Sequence, residues 1–364
     1  MKVVFVSNFL NHHQIPFCEE MQKICDEFWF VATEKGQNQG YQKSSDAEYV
    51  IDYTADKELA EKVILEADAV IFGACPNRLV DLRMKEDKLS FIYSERFLKK
   101  GEWRRLIPRT RKHIINRVIK HKDKQLYVLC ASGFLTKDLG YFGFPKEKCY
   151  KWGYFPLVFC EKTEKKKENS ILWAGRLIPL KHPEIPILIA EKLRKKGYNF
   201  SLNIVGEGPE EEKLSKMIKN KNLENFVKLL GSKKHEELME IMAEHEIFMF
   251  TSNRLEGWGA VLNEAMGNAC ATVSSEVIGS VPFLIKNGEN GLTFKSTKAN
   301  DAYKKVQTLL ENKNMTRKMG EKAQEDIEKL WNYKTAAQRL IGLIEELNKT
   351  KNAELYFEGP CSKA

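Results

Sequence analysis

The feature that most constrains the fold is an alternation of short β-rich runs with helical runs, which occurs twice along the chain. This alternation is typical of parallel sheets whose strands are joined by crossover helices. The first set of strand candidates is Val3–Ser7, Phe28–Ala32, Ala69–Phe72, Phe91–Tyr93, Leu126–Cys130 and Lys151–Tyr154. The second set is Ile171–Ala174, Ser201–Val205, Val227–Leu229, Ile247–Phe250 and Thr272–Ser274. We therefore predict an α/β chain with two doubly wound, Rossmann-like domains and a cleft between them.

The predicted domain bounds follow the points at which this pattern stops and restarts. The first domain takes residues 1–155, and the segment 156–170, charged and without periodicity in its second part, is a linker. The second domain takes residues 171–332. Its expected helices include His182–Lys196, Pro209–Lys219 and His235–Ala243. Residues 353–364 partly resemble a protease-cleavage tag, and we leave them out of the predicted fold.

Composition favours a cytoplasmic protein without a metal site. No apolar run reaches the roughly 18 residues that a membrane-spanning helix needs. The N-terminus lacks the long apolar centre and the cleavage site of a secretory signal. The eight cysteines form no C-x-x-C pair, which is typical of reduced thiols in the cytosol. We predict no metal and no cofactor.

The positive charge of the chain is concentrated in one segment. The formal net charge is +9, and Lys99 to Lys124 alone contains eleven Lys or Arg and two acids. Apolar residues alternate with these cations over residues 98–124, which predicts contact with an anionic membrane at its inner face or with a lipid-phosphate acceptor. The alternative is a solvated helix face whose apolar side joins the core. No nucleic-acid-binding motif accompanies the charge, so we expect no nucleic acid.

Two cations follow the first strand of the second half. In sheets of this kind, ligands bind beyond the carboxyl ends of the strands. Arg176 and Lys181 lie there, in "GRLIPLK", and a guanidinium fork together with an ammonium group suits a diphosphate. The alternative is that both are solvated surface cations. After the next strand, "GEGP" at 206–209 is a weak signal that on its own indicates a plain strand-to-helix turn.

Two carboxylates flank a glycine-rich turn in "EGWGAVLNEAM". Glu256 precedes the turn, and Glu264 lies in the helix that begins near Ala260. A carboxylate accepts hydrogen bonds from a vicinal diol, and open amides at a helix start attract phosphate. The pattern predicts a nucleotide diphosphate sugar, with one acid on each sugar ring. The alternative is that Glu256 stabilises the helix start electrostatically and Glu264 is a surface acid.

Four pieces, "GRL…K", "GEGP", the Glu-x7-Glu pair and "GSVPFLIKNGENGLTF", occur in this order between Ile171 and Phe294. Together they resemble the retaining GT-B glycosyltransferases of family 4. The resemblance implies a GT-B fold whose final helix, at about 333–348, packs back on the first domain. It also implies transfer of a UDP- or GDP-linked sugar to a glycan or lipid-linked acceptor in surface polysaccharide biosynthesis. No metal is expected for this hexosyl transfer.

The resemblance implies catalytic roles by matched position. Arg176 and Lys181 would bind the donor diphosphate and neutralise the leaving group. Glu256 would hold hydroxyls of the transferred sugar. Retention of configuration implies front-face attack without a strong protein base, because the departing phosphate takes the proton of the acceptor.

Five further residues would bind the nucleotide part of the donor. The resemblance implies that Glu264 holds the ribose and that backbone around Trp258, Gly259 and Ala260 contacts the distal phosphate. Ser232, in the loop after the third strand of this domain, lies where the family often meets the base.

The first half departs from the family in two places. The first strand-to-helix loop has no glycine pair, and His12 and His13 stand there instead. The fourth strand is followed by Ser94, Glu95 and Arg96 rather than by a histidine. Glu95 or Arg96 takes part in ligand contact, or the two belong to a buried structural ion pair.

Two other functions compete with sugar transfer. A nucleotide-sugar epimerase of GT-B type would share the fold and would need no acceptor. A non-enzymatic membrane or nucleic-acid adaptor would use the α/β domains as a scaffold for the basic segment.

Overall fold

The computed structural model describes residues 1–34, 47–158 and 166–364. The described chain divides into two compact units. Unit 1 contains Met1–Leu157 and Trp331–Ala364, and unit 2 contains Val158–Leu330. Part of the predicted linker, 159–165, lies outside the described residues, whereas its last residues, from Lys167 on, belong to a strand of unit 2.

Unit 1 is built on a seven-stranded parallel sheet. Its strands are β1 Lys2–Ser7, β2 Glu27–Ala32, β3 Val50–Asp52, β4 Ala69–Phe72, β5 Ser90–Ser94, β6 Leu126–Cys130 and β7 Cys149–Lys151. They lie in the order β3-β2-β1-β4-β5-β6-β7. Helices α1 Ile15–Ile24, α2 Lys57–Glu66, α3 Asn77–Lys85, α4 Pro108–Arg117 and α5 Leu135–Gly140 connect them. All residues of β4 and β6 are buried, as expected for parallel strands covered on both faces.

Unit 2 has a six-stranded parallel sheet. Its strands are β8 Lys167–Ala174, β9 Ser201–Val205, β10 Val227–Leu229, β11 His245–Phe250, β12 Ala271–Ser275 and β13 Leu292–Phe294. They lie in the order β10-β9-β8-β11-β12-β13. The helices are α6 Glu184–Lys195, α7 Glu211–Asn220, α8 His235–Ala243, α9 Val261–Gly267, α10 Val281–Leu284, α11 Ala299–Glu311 and α12 Lys313–Lys329. The prediction of two parallel sheets with crossover helices is confirmed.

The chain returns to unit 1 after α12. Helix α13, Tyr333–Thr350, packs against α1 and buries Leu340, Leu343 and Leu347. Among the residues that the structure describes, no helix is long and apolar enough to span a membrane.

Residues 353–364, which we left out of the predicted fold, belong to unit 1 and cover the edge strand β7. The amide of Lys151 donates to the carbonyl oxygen of Ser362 at 2.7 Å, and the amide of Cys361 donates to that of Lys151 at 2.8 Å. Cys361 and Ser362 are buried. The reason is physical: an uncovered edge strand leaves its backbone groups unpaired, and this segment pairs them.

The predicted strand Lys151–Tyr154 is shifted. In the structure β7 pairs with β6, with Cys149 opposite Val128 and Lys151 opposite Cys130. The Trp152 amide donates to the carbonyl oxygen of Cys130, the last residue of β6, at 3.0 Å. Residues after Trp152 have no strand to pair with, so β7 ends earlier than its aromatic composition indicates.

Each sheet has a point at which its strand order reverses. In unit 1, β1 lies between β2 and β4, and in unit 2, β8 lies between β9 and β11. Loops that leave the carboxyl ends of strands at such a point form the usual ligand site of an open parallel sheet. The loops after β8 and β11 are those that carry the predicted donor residues.

Candidate functional site

The loops after β8 and β9 are joined by backbone hydrogen bonds. The amide of Leu177 donates to the carbonyl oxygen of Glu207 at 2.8 Å, and that of Glu210 donates to Leu177 at 3.0 Å. Gly206 has a φ of +137°, and a Cβ there would lie 1.9 Å from the carbonyl oxygen of Gly175. This position therefore requires glycine, and "GEGP" does more than form a plain turn.

Buried side chains fix the backbone of the loop after β8 to the end of β11. The indole Nε1 of Trp173 donates to Thr251 Oγ1 at 2.8 Å, and this hydroxyl donates to the carbonyl oxygen of Lys181 at 2.7 Å. The next residue, His182, has the left-handed φ of +50°. This conformation is strained for a residue other than glycine. The contacts around His182 must therefore be strong enough to hold the loop in it.

Lys181 and Glu256 form an ion pair at this place. The Lys181 Nζ lies 2.5 Å from Glu256 Oε2, and the two side chains are 15% and 13% exposed. Ser252 Oγ donates to the same carboxylate oxygen at 2.9 Å. The structure thus brings together two of the predicted catalytic residues, and neither is a freely solvated surface group. An ammonium group has three donors, so the pair leaves others available for a ligand.

Arg176 differs from Lys181 in its surroundings. Its side chain is exposed, and it has no ion-pair or hydrogen-bond partner within residues 1–34, 47–158 and 166–364. A guanidinium group presents five donors in a planar fork. The loop after β8 therefore presents one unpaired cation and one paired cation.

Trp258 reaches the site only through its backbone. Its side chain is fully buried, and the indole Nε1 donates to Asn263 Oδ1 at 2.9 Å. Ser280 Oγ donates to the carbonyl oxygen of Trp258 at 2.7 Å. The indole therefore belongs to the core of unit 2, which is consistent with the backbone role that the resemblance implies.

Gly259 and Ala260 present open amides. Gly259 has a φ of +82°, and a Cβ there would lie 2.2 Å from the Phe250 ring. Neither amide donates to any group in the described part of the chain. The helix that follows, α9, has only seven residues, so its dipole is a smaller source of anion attraction than the sequence indicated.

Glu264 is buried rather than a surface acid. Its side chain is 8% exposed, and Oε1 lies 3.9 Å from His235 Nδ1. Burial raises the pKa of Glu264, while the charges of His235 and Lys181 act in the opposite direction. Sequence reasoning missed His235, because its nearness to Glu264 follows only from how α8 and α9 pack. Ser232 lies three residues before His235, exposed in the loop after β10.

We expect Glu264→Gln to be more stable than the wild type at neutral pH. Because the folded chain raises the pKa of Glu264, the folded state binds the proton more tightly, and this residue contributes less stability as pH rises above 4.5. Thermal unfolding measured from pH 4.5 upward should show a smaller loss of melting temperature in the variant. Glu236→Gln, on the exposed side of α8, is the matched control. Equal pH dependence of the Glu264→Gln variant and the wild type would contradict this expectation.

Unit 1 has a cavity of about 580 Å³ at the carboxyl ends of β1, β4 and β5. His13 lines it, and its ring stacks on Tyr154 with centroids 4.3 Å apart. Burial, with a smaller effect of His12, lowers the pKa of His13 to about 3, so this imidazole is neutral at pH 7. The Tyr154 hydroxyl donates to Glu95 Oε1 at 2.7 Å. On this side the cavity wall therefore presents a neutral imidazole and a hydroxyl beside the Glu95 carboxylate.

The structure separates the roles of Glu95 and Arg96. Arg96 Nη2 lies 2.8 Å from Asp138 Oδ1 in a buried ion pair, which the Leu98 amide completes by donating to Oδ2 at 2.9 Å. Of the two interpretations offered for this residue, the buried structural ion pair therefore applies to Arg96. Glu95 lines the cavity and forms an ion pair with Lys99.

Some cations of the basic segment have structural partners. Arg117 is buried and donates to the carbonyl oxygen of Cys75 at 3.0 Å. Lys120 Nζ lies 2.6 Å from Asp81 Oδ1. Thus only part of the charge in residues 98–124 is available to a partner. No group of three or more metal-ligating side chains occurs in the described ranges.

Residues 158–326 match the family described as glycosyl transferases group 1. The matched residues lie within unit 2 and cover nearly all of it. The resemblance to glycosyltransferases is thereby confirmed at the level of group 1, and family 4 stays a prediction.

Relatives and solved structures extend this result. The chain is 27% identical over 177 residues to the poly(ribitol-phosphate) alpha-N-acetylglucosaminyltransferase of Staphylococcus aureus, covering 49% of this chain and 35% of the relative. An uncharacterized glycosyltransferase of Methanocaldococcus jannaschii is 24% identical over 231 residues, 61% of this chain and 60% of the relative. The chain thus spans about one third and three fifths of these two relatives.

The fold is that of GT-B glycosyltransferases. The Anabaena protein HepE in complex with UDP superimposes with a TM-score of 0.73 at 15% identity, over 95% of this chain and all of that one. This similarity covers both units and confirms the predicted fold class.

Proposed function

We propose that the protein is a retaining, metal-independent glycosyltransferase that uses a nucleotide-diphosphate sugar. The observation that carries the proposal is the ion pair of Lys181 with Glu256 at the strand-order reversal of unit 2. An unpaired Arg176 and the open amides of Gly259 and Ala260 accompany it. These groups supply a cation, a carboxylate and N–H donors, which are what a sugar diphosphate requires.

The chemistry follows from the charges that form when the anomeric bond breaks. The diphosphate gains negative charge and the sugar ring gains positive charge. Arg176 and Lys181 stabilise the leaving group as fixed charges, which take the place of a metal ion. The departing phosphate accepts the acceptor's proton during front-face attack, and configuration is retained. Glu256 accepts hydrogen bonds from the hydroxyls of the transferred sugar.

The nucleotide part takes the remaining residues. Glu264 accepts from the ribose hydroxyls, and its burial makes that contact selective because a buried carboxylate needs a donor. Ser232 contacts the base. We expect UDP as the nucleotide because UDP is bound in the structure of HepE, and N-acetylglucosamine as the sugar because the S. aureus relative is an N-acetylglucosaminyltransferase. The acceptor is a glycan or a lipid-linked glycan of surface polysaccharide biosynthesis.

The test of this proposal is a thermal-shift panel in the presence of EDTA. UDP, GDP, ADP, CMP and TDP, each with a common sugar derivative, are added to the full chain. A ligand at about a hundred times its Kd adds about 2.7 kcal/mol of stability. We expect the UDP series to raise the melting temperature, and Glu256→Ala to remove the additional effect of the sugar while the effect of UDP remains. Glu236→Ala is the control.

The outcomes separate the competing functions. No shift with any nucleotide at millimolar concentration would contradict the donor site and favour an adaptor. A shift accompanied by conversion of the nucleotide sugar without an acceptor would favour the epimerase.

We also propose reversible contact with the anionic inner face of a membrane, as a cytoplasmic protein attached from one side. Trp103 and Leu106 are 61% and 71% exposed and lie beside Arg104 and Arg105. Exposed aromatic and aliphatic side chains among cations suit a lipid interface. Trp103→Ser/Leu106→Ser should abolish sedimentation with phosphatidylglycerol vesicles. Unchanged sedimentation would contradict the contact.

A further inference from the structure

A second cavity of about 380 Å³ adjoins the one described in unit 1. Both cavities are lined by Arg96, Phe97, Lys99 and His113, so these residues form the wall between them. The smaller cavity lies beyond β5, between the segment after that strand and the start of α4. Its wall differs from that of the larger cavity in having more cationic side chains and no acid among the lining residues.

The smaller cavity is strongly basic. Five of its lining side chains are Lys or Arg, and no acid is among the described residues that line it. Arg96 and Lys99 are neutralised by their carboxylate partners. The other three, Lys100, Arg104 and Arg109, form no ion pair within the described ranges.

Three unneutralised cations around one cavity repel one another, and an anion removes that repulsion. Two guanidinium forks and an ammonium group match the oxygens of a phosphate, which carries about −1.5 to −2 charges near pH 7. A carboxylate has only two acceptor oxygens, fewer than a phosphate monoester or a diphosphate offers to these donors. In the larger cavity the charges of Glu95 and Lys99 balance each other in an ion pair. The neutral His13 and the hydroxyl of Tyr154, which also line it, suit sugar hydroxyls.

We propose that the smaller cavity binds a phosphate or diphosphate group of the acceptor, through Lys100, Arg104 and Arg109. The neutral sugar part of the acceptor then occupies the larger cavity. The identification of the bound molecule as the acceptor rests on the proposed function, but the phosphate site itself does not depend on the donor site. The acceptor is accordingly a phosphorylated glycan or a lipid-phosphate-linked glycan.

The experiment is a calorimetric titration of the full chain with inorganic pyrophosphate at low ionic strength. Since pyrophosphate also fits the donor loops, Arg176→Ala serves as the background. We expect Arg104→Gln/Arg109→Gln on this background to weaken binding by about a hundredfold, because it removes two charge-assisted contacts that are each worth roughly a factor of ten. Lys112→Gln, an exposed cation of α4 that does not line the cavity, should change the affinity less than about twofold.

The outcomes distinguish this inference from the proposed function. Binding that survives Arg104→Gln/Arg109→Gln but disappears with Arg176→Ala overturns the phosphate site and leaves the donor site intact. Binding lost with Arg104→Gln/Arg109→Gln in a protein that no nucleotide stabilises supports the phosphate site and contradicts the proposed function. Melting temperatures near that of the wild type show that the variants fold.

Competition identifies the source of the phosphate. Glucose 1-phosphate that displaces pyrophosphate, while phosphatidylglycerol vesicles do not, indicates a phosphorylated glycan. Displacement by phosphatidylglycerol vesicles but not by phosphatidylcholine vesicles indicates a lipid phosphate, provided that Trp103→Ser/Leu106→Ser leaves pyrophosphate binding unchanged. Displacement by neither probe overturns the assignment to an acceptor.

Discussion

Arg176→Ala should lower kcat for sugar transfer by about two to three orders of magnitude, the effect of removing one preorganised donor from a developing oxyanion. Its melting temperature should stay near that of the wild type, because Arg176 is exposed and has no partner in the described residues. A residue with no structural role and a large effect on turnover must contact the reacting molecule. The measurement is steady-state transfer from the donor that the thermal-shift panel identifies.

The matched control for this prediction is Arg317→Ala, an exposed arginine on α12 of the same unit. It removes the same charge from unit 2 at a distance in sequence from the donor loops, so it should leave turnover unchanged. Arg176→Lys keeps the charge and loses the fork, and its activity should lie between those of the alanine variant and the wild type. Equal activities of the Arg176→Ala and Arg317→Ala variants would contradict the leaving-group role.

The strands could be predicted because their residues are buried on both faces. Ala69–Phe72 and Leu126–Cys130, for example, are continuous apolar runs, and their bounds agree with β4 and β6. Composition does not suffice to predict a strand whose bounds depend on the neighbouring strand. The three residues of β3 carry too little pattern, and the end of β7 depends on where β6 stops.

The candidate site could be predicted in part, because its loops lie at strand ends that the pattern locates. Lys181 and Glu256 were both expected, but their ion pair joins residues that are far apart in the sequence. The same holds for Glu264 with His235, which no spacing rule connects. For Arg96 the sequence leaves ligand contact and a buried ion pair open, and only the packing of the segment after β5 against α5 identifies Asp138 as its partner.

Glu264 illustrates how the site differs from an optimally stable core. Its carboxylate is buried, and burial raises its pKa, so the charged form costs stability at neutral pH. A chain that needed only stability would place an apolar residue or an amide there. Retaining an acid at this cost is consistent with a group that needs a donor from outside, which is the role proposed for it.

Gly206→Ala should be the most destabilising single substitution in the donor loops. An added Cβ would lie 1.9 Å from the carbonyl oxygen of Gly175, and the φ of +137° is one that L residues rarely adopt. Relieving the overlap must separate the loops after β8 and β9, at a cost of about 3 to 5 kcal/mol for strain and overpacking together. We expect the melting transition of unit 2 to fall by on the order of 10 °C.

Gly197→Ala is the matched control for that prediction, since Gly197 also has a positive φ, +78°, but no atom lies within 4 Å of the added Cβ. Both variants carry a backbone cost, about 1 to 2 kcal/mol for the left-handed conformation at Gly197 and about 1 to 3 kcal/mol for the one at Gly206, and only Gly206→Ala adds the clash. Because two units need not unfold in one step, hydrogen exchange of the β8 and β9 amides should accompany calorimetry. If the loops separate, the Gly206→Ala variant also loses the nucleotide shift even below its melting temperature, whereas the Gly197→Ala variant keeps it. Equal stability of the two variants would mean that the backbone contact at Gly175 does not position Arg176 and Lys181.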